Sequence, residues 1–171
     1  MISRRIATRM AAFGATVCAH DPFQPEDEIR GNGAVPVSFD ELLEKSDYLV
    51  VQAPLTDQTR ALFGERELKR MKRTAFLVNT ARGPIIEDQA LDRALREGWI
   101  AGAGLDDLEE EPAKRRDWQA NNPLFELGNV IMSPHAAYYS EESIALVREI
   151  AAGEAVRVLR GDAPRYPVNR V

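Results

Sequence analysis

Cysteine is almost missing from this chain, with Cys18 the only one in 171 residues. One thiol cannot staple a fold, so a disulfide-built module is excluded and a reducing, cytoplasmic setting is expected. Cys18 sits in an apolar stretch and reads as a small core hydrophobe rather than a nucleophile. Positive charge is not in excess: 22 basic against 27 acidic residues leave a net charge of -5. No basic face is available for nucleic acid. Apolar runs are short, none near the roughly 20 residues that cross a bilayer. The opening segment, Met1 to Gly14, carries Arg4, Arg5 and Arg9 but no signal-peptide core. Neither a nucleic acid nor a membrane is expected as a partner. Histidine is scarce too, with His20 and His135 the only two.

What remains is an ordinary globular composition, 44% apolar and 29% charged, long enough for one core-bearing domain and too short for two. Short β-rich runs alternate with helical patterns. Ala15–His20, Ala34–Val37, Tyr48–Ala53, Ala75–Asn79, Ile100–Leu105 and Val130–Met132 predict strands. Several are continuously apolar, the pattern of a sheet covered on both faces. Helices are predicted over Ser3–Phe13, Phe39–Lys45, Glu65–Met71, Glu87–Glu97 and Glu141–Leu159. Ser38 with Glu41 forms a capping-box pattern, and Ser140 is placed to cap the last helix. Such alternation predicts an α/β fold, a doubly wound parallel sheet with helices on both faces. Asp107–Gly128 reads as a long charged loop and Gly161–Val171 as a proline-containing tail.

The chain opens inside a helix. In a doubly wound dinucleotide fold a first strand and a glycine-rich turn precede that helix. No Gly-x-Gly-x-x-Gly is found in the chain, and the first strand would lie upstream of Met1. In the order 3-2-1-4-5-6 that strand is central, so its absence predicts two unpaired inner edges. A truncated chain, a misplaced start or a partner supplying the strand would each account for it.

Four clusters carry chemistry, each following a predicted strand, where ligands of open α/β sheets bind. Asp21 follows Ala15–His20, where a carboxylate accepts hydrogen bonds from an adenosine ribose and repels the extra phosphate of NADP. The competing reading is a turn aspartate before Pro22. Asn79-Thr80-Ala81-Arg82-Gly83-Pro84 follows the next core strand, and the guanidinium fork of Arg82 suits a carboxylate. Gly104-Leu105-Asp106-Asp107-Leu108-Glu109-Glu110-Glu111-Pro112 comes third, with a solvated charge run as the plain alternative. Ser133-Pro134-His135-Ala136-Ala137 is the fourth, where a lone histidine is more often structural than catalytic.

Taken together, "VNTARGPIIEDQAL", "AGAGLDDLEEEP" and "NVIMSPHAA", with "APLTDQTRALFG" and "RVLRGDAPRYPVN", resemble the signature segments of the D-isomer-specific 2-hydroxyacid dehydrogenases across essentially the whole chain. "SPHAAYYSEES" is most similar to the branch holding phosphoglycerate dehydrogenase-like enzymes and C-terminal-binding protein corepressors. The resemblance implies a Rossmann-type NAD-binding domain over residues 1–160, lacking its first strand and glycine turn, with 161–171 returning to a substrate domain absent from this chain. It implies hydride transfer between NAD(H) and a small 2-oxoacid or 2-hydroxyacid. His135 would be the acid–base group, Glu111 its carboxylate partner, and Arg82 the binder of the substrate carboxylate. Asp106 would meet the nicotinamide carboxamide. Asp21, Ala53, Pro54, Leu55, Thr80, Ala81, Arg82, His135 and Ala137 would complete the cofactor surface, with no metal. By analogy the long last helix implies a homodimer.

Three departures qualify the match. Met1-Ile2-Ser3 aligns with the end of the glycine turn, so the pyrophosphate lacks its backbone cradle. The substrate domain is missing. Asp107 replaces an apolar residue of the family and is expected to loosen local packing. A corepressor-like NAD(H) sensor and a non-functional remnant are the alternatives; intact Arg82, Glu111 and His135 favour the enzyme.

Overall fold

The computed structural model describes residues 2–109 and 121–167. The chain divides into two compact units, Met1–His135 and Ala136–Val171. In the first, α1 (Ile2–Ala12), β1 (Cys18–Ala19), α2 (Glu26–Gly31), β2 (Val35–Pro36), α3 (Phe39–Lys45) and β3 (Tyr48–Val51) come in order. Next are α4 (Glu65–Arg70), β4 (Phe76–Asn79), α5 (Asp88–Arg96), β5 (Gly102–Leu105) and β6 (Val130–Met132), with 3₁₀ turns at Gly83–Ile85 and Pro123–Glu126.

Among the described residues all strand pairs are parallel, and they form two sheets: β1-β2, and β3-β4-β5-β6. The break falls between β1 and β3, where the sequence reading put the missing central strand. Strands β1 and β2 are shorter than expected. Pro36 has no N–H to give, and the pairing continues past the strand ends through Val35 N donating to Val17 O (2.8 Å) and Val37 N to Ala19 O (3.0 Å). Helix α2 was not foreseen, because Glu26-Asp27-Glu28-Ile29-Arg30-Gly31 has only one apolar position to set a period.

The core lies on one face of the four-stranded sheet. Register aligns Leu49, Leu77, Ala103 and Val130, then Val51, Asn79, Leu105 and Met132. Against them pack Leu43 of α3, Leu68 of α4, Leu91, Ala94 and Leu95 of α5, and Leu124. The buried Ala90, Leu91, Ala94 and Leu95 form a helical stripe at i, i+1, i+4 and i+5. On the opposite face several described side chains are open. Tyr48 is 67% exposed and Ile131 79%, and Val50 and Phe76 of the same face are exposed as well. Tyr48 and Phe76 stack on each other, ring centroids 5.5 Å apart.

Helix α3 joins the two sheets. The Phe39 ring lies 5.7 Å from that of His20, which follows β1, and 5.8 Å from that of Phe63 in the core. Its N-terminus carries the expected capping box: Ser38 Oγ accepts from Glu41 N at 3.2 Å and Glu41 Oε2 accepts from Ser38 N at 3.1 Å.

In the second unit, α6 (Glu141–Leu159) is capped by Ser140, whose hydroxyl accepts from Ser143 N at 3.0 Å. None of its residues is buried, including Leu146, Val147 and Ile150. The segment after it folds back on the helix, with Arg165 N donating to Glu154 Oε2 at 2.8 Å.

The α3 cap generates a pH-dependent prediction. A hydrogen bond from Lys45, then those from Ser38, lower the Glu41 carboxyl from 4.5 to about 2. A depressed folded-state value gives stability that is complete above 4.5 and lost as pH falls through about 2. Thermal melts of Glu41→Gln should show a lower Tm than the native chain at neutral pH, with the gap closing as the pH drops toward 2. A gap that stays constant would contradict the cap's contribution.

Candidate active site

Four parallel strands in register end in one row: Val51, Asn79, Leu105 and Met132 are mutual partners. The next residues, Gln52, Thr80, Asp106 and Ser133, are therefore set side by side. They bond across the strand tips. Gln52 Nε2 donates to Thr80 Oγ1 at 2.7 Å, and Ser133 Oγ donates to Asp106 Oδ1. The backbone ladder runs past the strands as well: Asp106 N donates to Asn79 O and Ser133 N to Leu105 O, each at 2.9 Å, and His135 N to Asp106 O at 2.8 Å. His135 is held with a left-handed backbone, φ 51°, a conformation that non-glycine residues adopt mostly where tertiary contacts enforce it.

Arg82 belongs to a turn built by a residue that sequence reading gave no role. Asn79 is fully buried. Its Nδ2 donates to Arg82 O at 2.8 Å and its Oδ1 accepts from Ala81 N at 3.0 Å, so the amide closes the loop that presents Arg82. Arg82 is exposed, and its Nη1 donates to Ala81 O at 2.6 Å.

Asp107 joins this turn to the histidine. The expectation that it loosens packing is corrected: Asp107 is 7% exposed, and both of its oxygens are engaged. Oδ1 accepts from Leu108 N at 3.0 Å; Oδ2 accepts from Gly83 N at 3.2 Å and lies 3.9 Å from His135 Nδ1. The peptide following Arg82 and the imidazole thus face one carboxylate oxygen. The plain reading of this segment as a solvated charge run fails for Asp106 and Asp107, both buried, and holds for exposed Glu109.

Asp88, at the start of α5, is a second residue without a foreseen role. It exchanges bonds with Glu109 (Asp88 N to Glu109 Oε2, 3.2 Å; Glu109 N to Asp88 Oδ1, 3.4 Å) and accepts from Asn122 Nδ2 at 2.8 Å. It therefore ties down both flanks of the segment that carries Glu111, and Glu111 itself lies outside the described residues.

The remaining sequence-derived positions lie in segments that follow β1, β3, β4 and β6 in the chain. Asp21 follows β1 and is exposed; its Oδ1 accepts from Phe23 N at 2.9 Å, the turn geometry that the competing reading described. Ala53 and Leu55 follow β3 and pack partly on the core, as does Ala81, while Pro54 is exposed. Ala137 belongs to the second unit.

Comparison with known proteins accords with this geometry. The family model for the D-isomer specific 2-hydroxyacid dehydrogenase NAD binding domain matches residues 1–137. The chain belongs to that family. It is 41% identical over 169 residues to a glyoxylate reductase of Korarchaeum cryptofilum, covering 99% of this chain and 49% of that protein. Similarity to the glyoxylate reductase of Aeropyrum pernix is 43% over the same length and coverage. Among solved structures, the NAD complex of a D-isomer specific 2-hydroxyacid dehydrogenase from Lactobacillus delbrueckii ssp. bulgaricus superposes with a TM-score of 0.84 at 34% identity, over 98% of this chain and 53% of that one. The chain spans about half the length of the curated relatives it matches. The Rossmann-like α/β architecture is that of D-2-hydroxyacid dehydrogenases.

Within that family fold, Gly83 is the residue that the turn cannot exchange. A Cβ there would lie 1.7 Å from Leu108 O and 1.9 Å from Leu108 C, both backbone atoms. Gly83→Ala must push the Asp106–Leu108 strand tip away from the Arg82 turn. We expect a loss of about 1–3 kcal/mol in urea unfolding, the usual range for overpacking. A variant of native stability would mean that the two loops are not packed as described.

Proposed function

We propose that the chain is the nucleotide-binding and catalytic part of an NAD-dependent oxidoreductase that interconverts a D-2-hydroxyacid and a 2-oxoacid. One observation supports the reading: Gly83, the residue after Arg82, and His135 face one oxygen of the buried Asp107 carboxylate at the C-terminal edge of one parallel sheet. Arg82 would bind the substrate carboxylate through its planar fork. His135 would deliver a proton to the ketone oxygen in reduction and remove it in oxidation. Its Nδ1 faces Asp107, which makes Nε2 the nitrogen for substrate. Glu111 is retained as a carboxylate partner of His135 on the family resemblance alone. NADH, when bound, supplies the hydride.

The residues present fit two ends of that cofactor. Asp21 has no partner for Oδ2 among the described residues, which suits a ribose hydroxyl. Asp106 and Thr80 sit at the strand tips with Arg82 and His135, suited to the nicotinamide end, and Ala53, Pro54, Leu55 and Ala81 would line the cleft between, with Ala137 after His135.

The names of the relatives, glyoxylate reductase and D-lactate dehydrogenase, support a two- or three-carbon 2-oxoacid as substrate. The placement nearer phosphoglycerate dehydrogenase-like enzymes rests on "SPHAAYYSEES". Residues 1–160 would be the NAD-binding part and 161–171 a tail to the substrate domain. Exposed Leu146, Val147 and Ile150 on α6 support a homodimer, and the single cysteine supports a cytoplasmic location.

Two measurements test this. In an active preparation of the protein, His135→Ala should lower NADH-dependent reduction of glyoxylate or pyruvate by about 10²–10⁴-fold, the usual worth of a general acid; an unchanged rate removes His135 from its role. The 171-residue chain alone should bind NAD weakly or not at all by isothermal titration, and micromolar affinity would refute the argument from the missing cradle.

A further inference from the structure

We propose that Asn79 is a positioning residue for Arg82, whose buried amide fixes the main chain of that arginine so that its guanidinium meets the substrate carboxylate. The inference rests on the reading of Arg82 as the carboxylate binder and adds a residue to which the family resemblance gave no role.

The case begins with burial. A side-chain amide removed from water is costly unless both of its halves are bonded. Asn79 closes β4, is fully buried, and meets that condition within its own turn. Oδ1 accepts from Ala81 N at 3.0 Å, and Nδ2 donates to Arg82 O at 2.8 Å. Its main chain belongs to the ladder, since Asn79 O accepts from Asp106 N at 2.9 Å. One residue thus fastens the loop to the sheet. An amide suits this task because it carries a donor and an acceptor at once, where a carboxylate would set a second oxygen against Arg82 O.

The bonds converge on the peptide that joins Arg82 to Gly83. Its oxygen accepts from Asn79 Nδ2 and, at 3.3 Å, from Ile85 N; its N–H donates to Asp107 Oδ2 at 3.2 Å. The peptide before Arg82 is where the guanidinium rests, with Nη1 donating to Ala81 O at 2.6 Å. Asn79 therefore brackets both peptides of Arg82, taking the N–H of Ala81 on one side and giving to the carbonyl of Arg82 on the other. The arginine itself is exposed, so the aim of its side chain depends on the main chain that carries it. A planar fork has to present two N–H groups to two carboxylate oxygens together, which makes that aim matter.

Two readouts need neither cofactor nor turnover. In the 171-residue chain the Ala81 N–H, which lies beyond β4, should exchange as slowly as the strand amides, and one of the two Asn79 side-chain N–H protons should be protected with it. Fast exchange at either group overturns the proposal, whether or not any variant folds. Kinetics in an active preparation of the protein then separate positioning from plain stability. Asn79→Ala should lower kcat/KM for glyoxylate or pyruvate about 10²-fold, the scale of an ångström of misplacement, while the KM for NADH changes by less than about twofold. In an Arg82→Ala background the same substitution should change kcat/KM by less than about threefold, because the residue that it positions is already gone. An undiminished loss in that background, or a matching rise in the KM for NADH, marks a role in folding alone and overturns the proposal. So does native kcat/KM in Asn79→Ala. Failure of the dehydrogenase reading shows elsewhere, as an unchanged rate in His135→Ala.

Discussion

Parallel pairing in register is the constraint on which the rest of this molecule depends. Because β3, β4, β5 and β6 run the same way and end on one row of partners, four segments distant in sequence start their loops side by side. The ladder does not stop at the strand ends. Three further backbone bonds, to Asn79 O, Leu105 O and Asp106 O, carry it into the loops, and the last of them fixes the main chain of His135. A loop histidine is thereby held with the rigidity of a sheet, which is what the acid–base role proposed for it requires.

On this scaffold the polar groups form a continuous chain of mutual support. Asn79 closes the turn of Arg82, Gly83 admits the backbone of Leu108, and Asp107 accepts from Gly83 while facing His135. Asn79, Gly83 and Asp107 are buried and have their partners, so the arrangement avoids the desolvation cost that a half-satisfied network carries. Asp88 extends the same logic to the flanks of the loop that bears Glu111. Deleting any one member exposes the others to unpaired burial, and the changes should therefore be non-additive.

Much of this was legible in the sequence. Apolar runs that end abruptly in polar or turn residues marked the strand tips, and the family segments then singled out Arg82, Asp106 and His135. The capping boxes at Ser38 and the cap at Ser140 follow from side-chain chemistry within a single turn, and local chemistry of that kind survives folding unchanged. Asn79, Asp88 and Asp107 escaped because their work is done across the fold. Asp107 meets a peptide 24 residues away, and Asp88 meets Asn122 at a separation of 34. Periodicity also could not tell a covered face from an open one, since Tyr48, Val50, Phe76 and Ile131 are as apolar as the residues they alternate with. The shortness of β1 and β2 reflects pairing on one side, a property of neighbours and not of composition.

Amide hydrogen exchange tests the central claim most directly. If the ladder extends beyond the strands, the N–H groups of Asp106, Ser133 and His135 should exchange as slowly as those of Val78 and Ala103 within β4 and β5. Exchange at the rate of an unprotected loop at these three amides, with the strand amides still protected, would contradict the account.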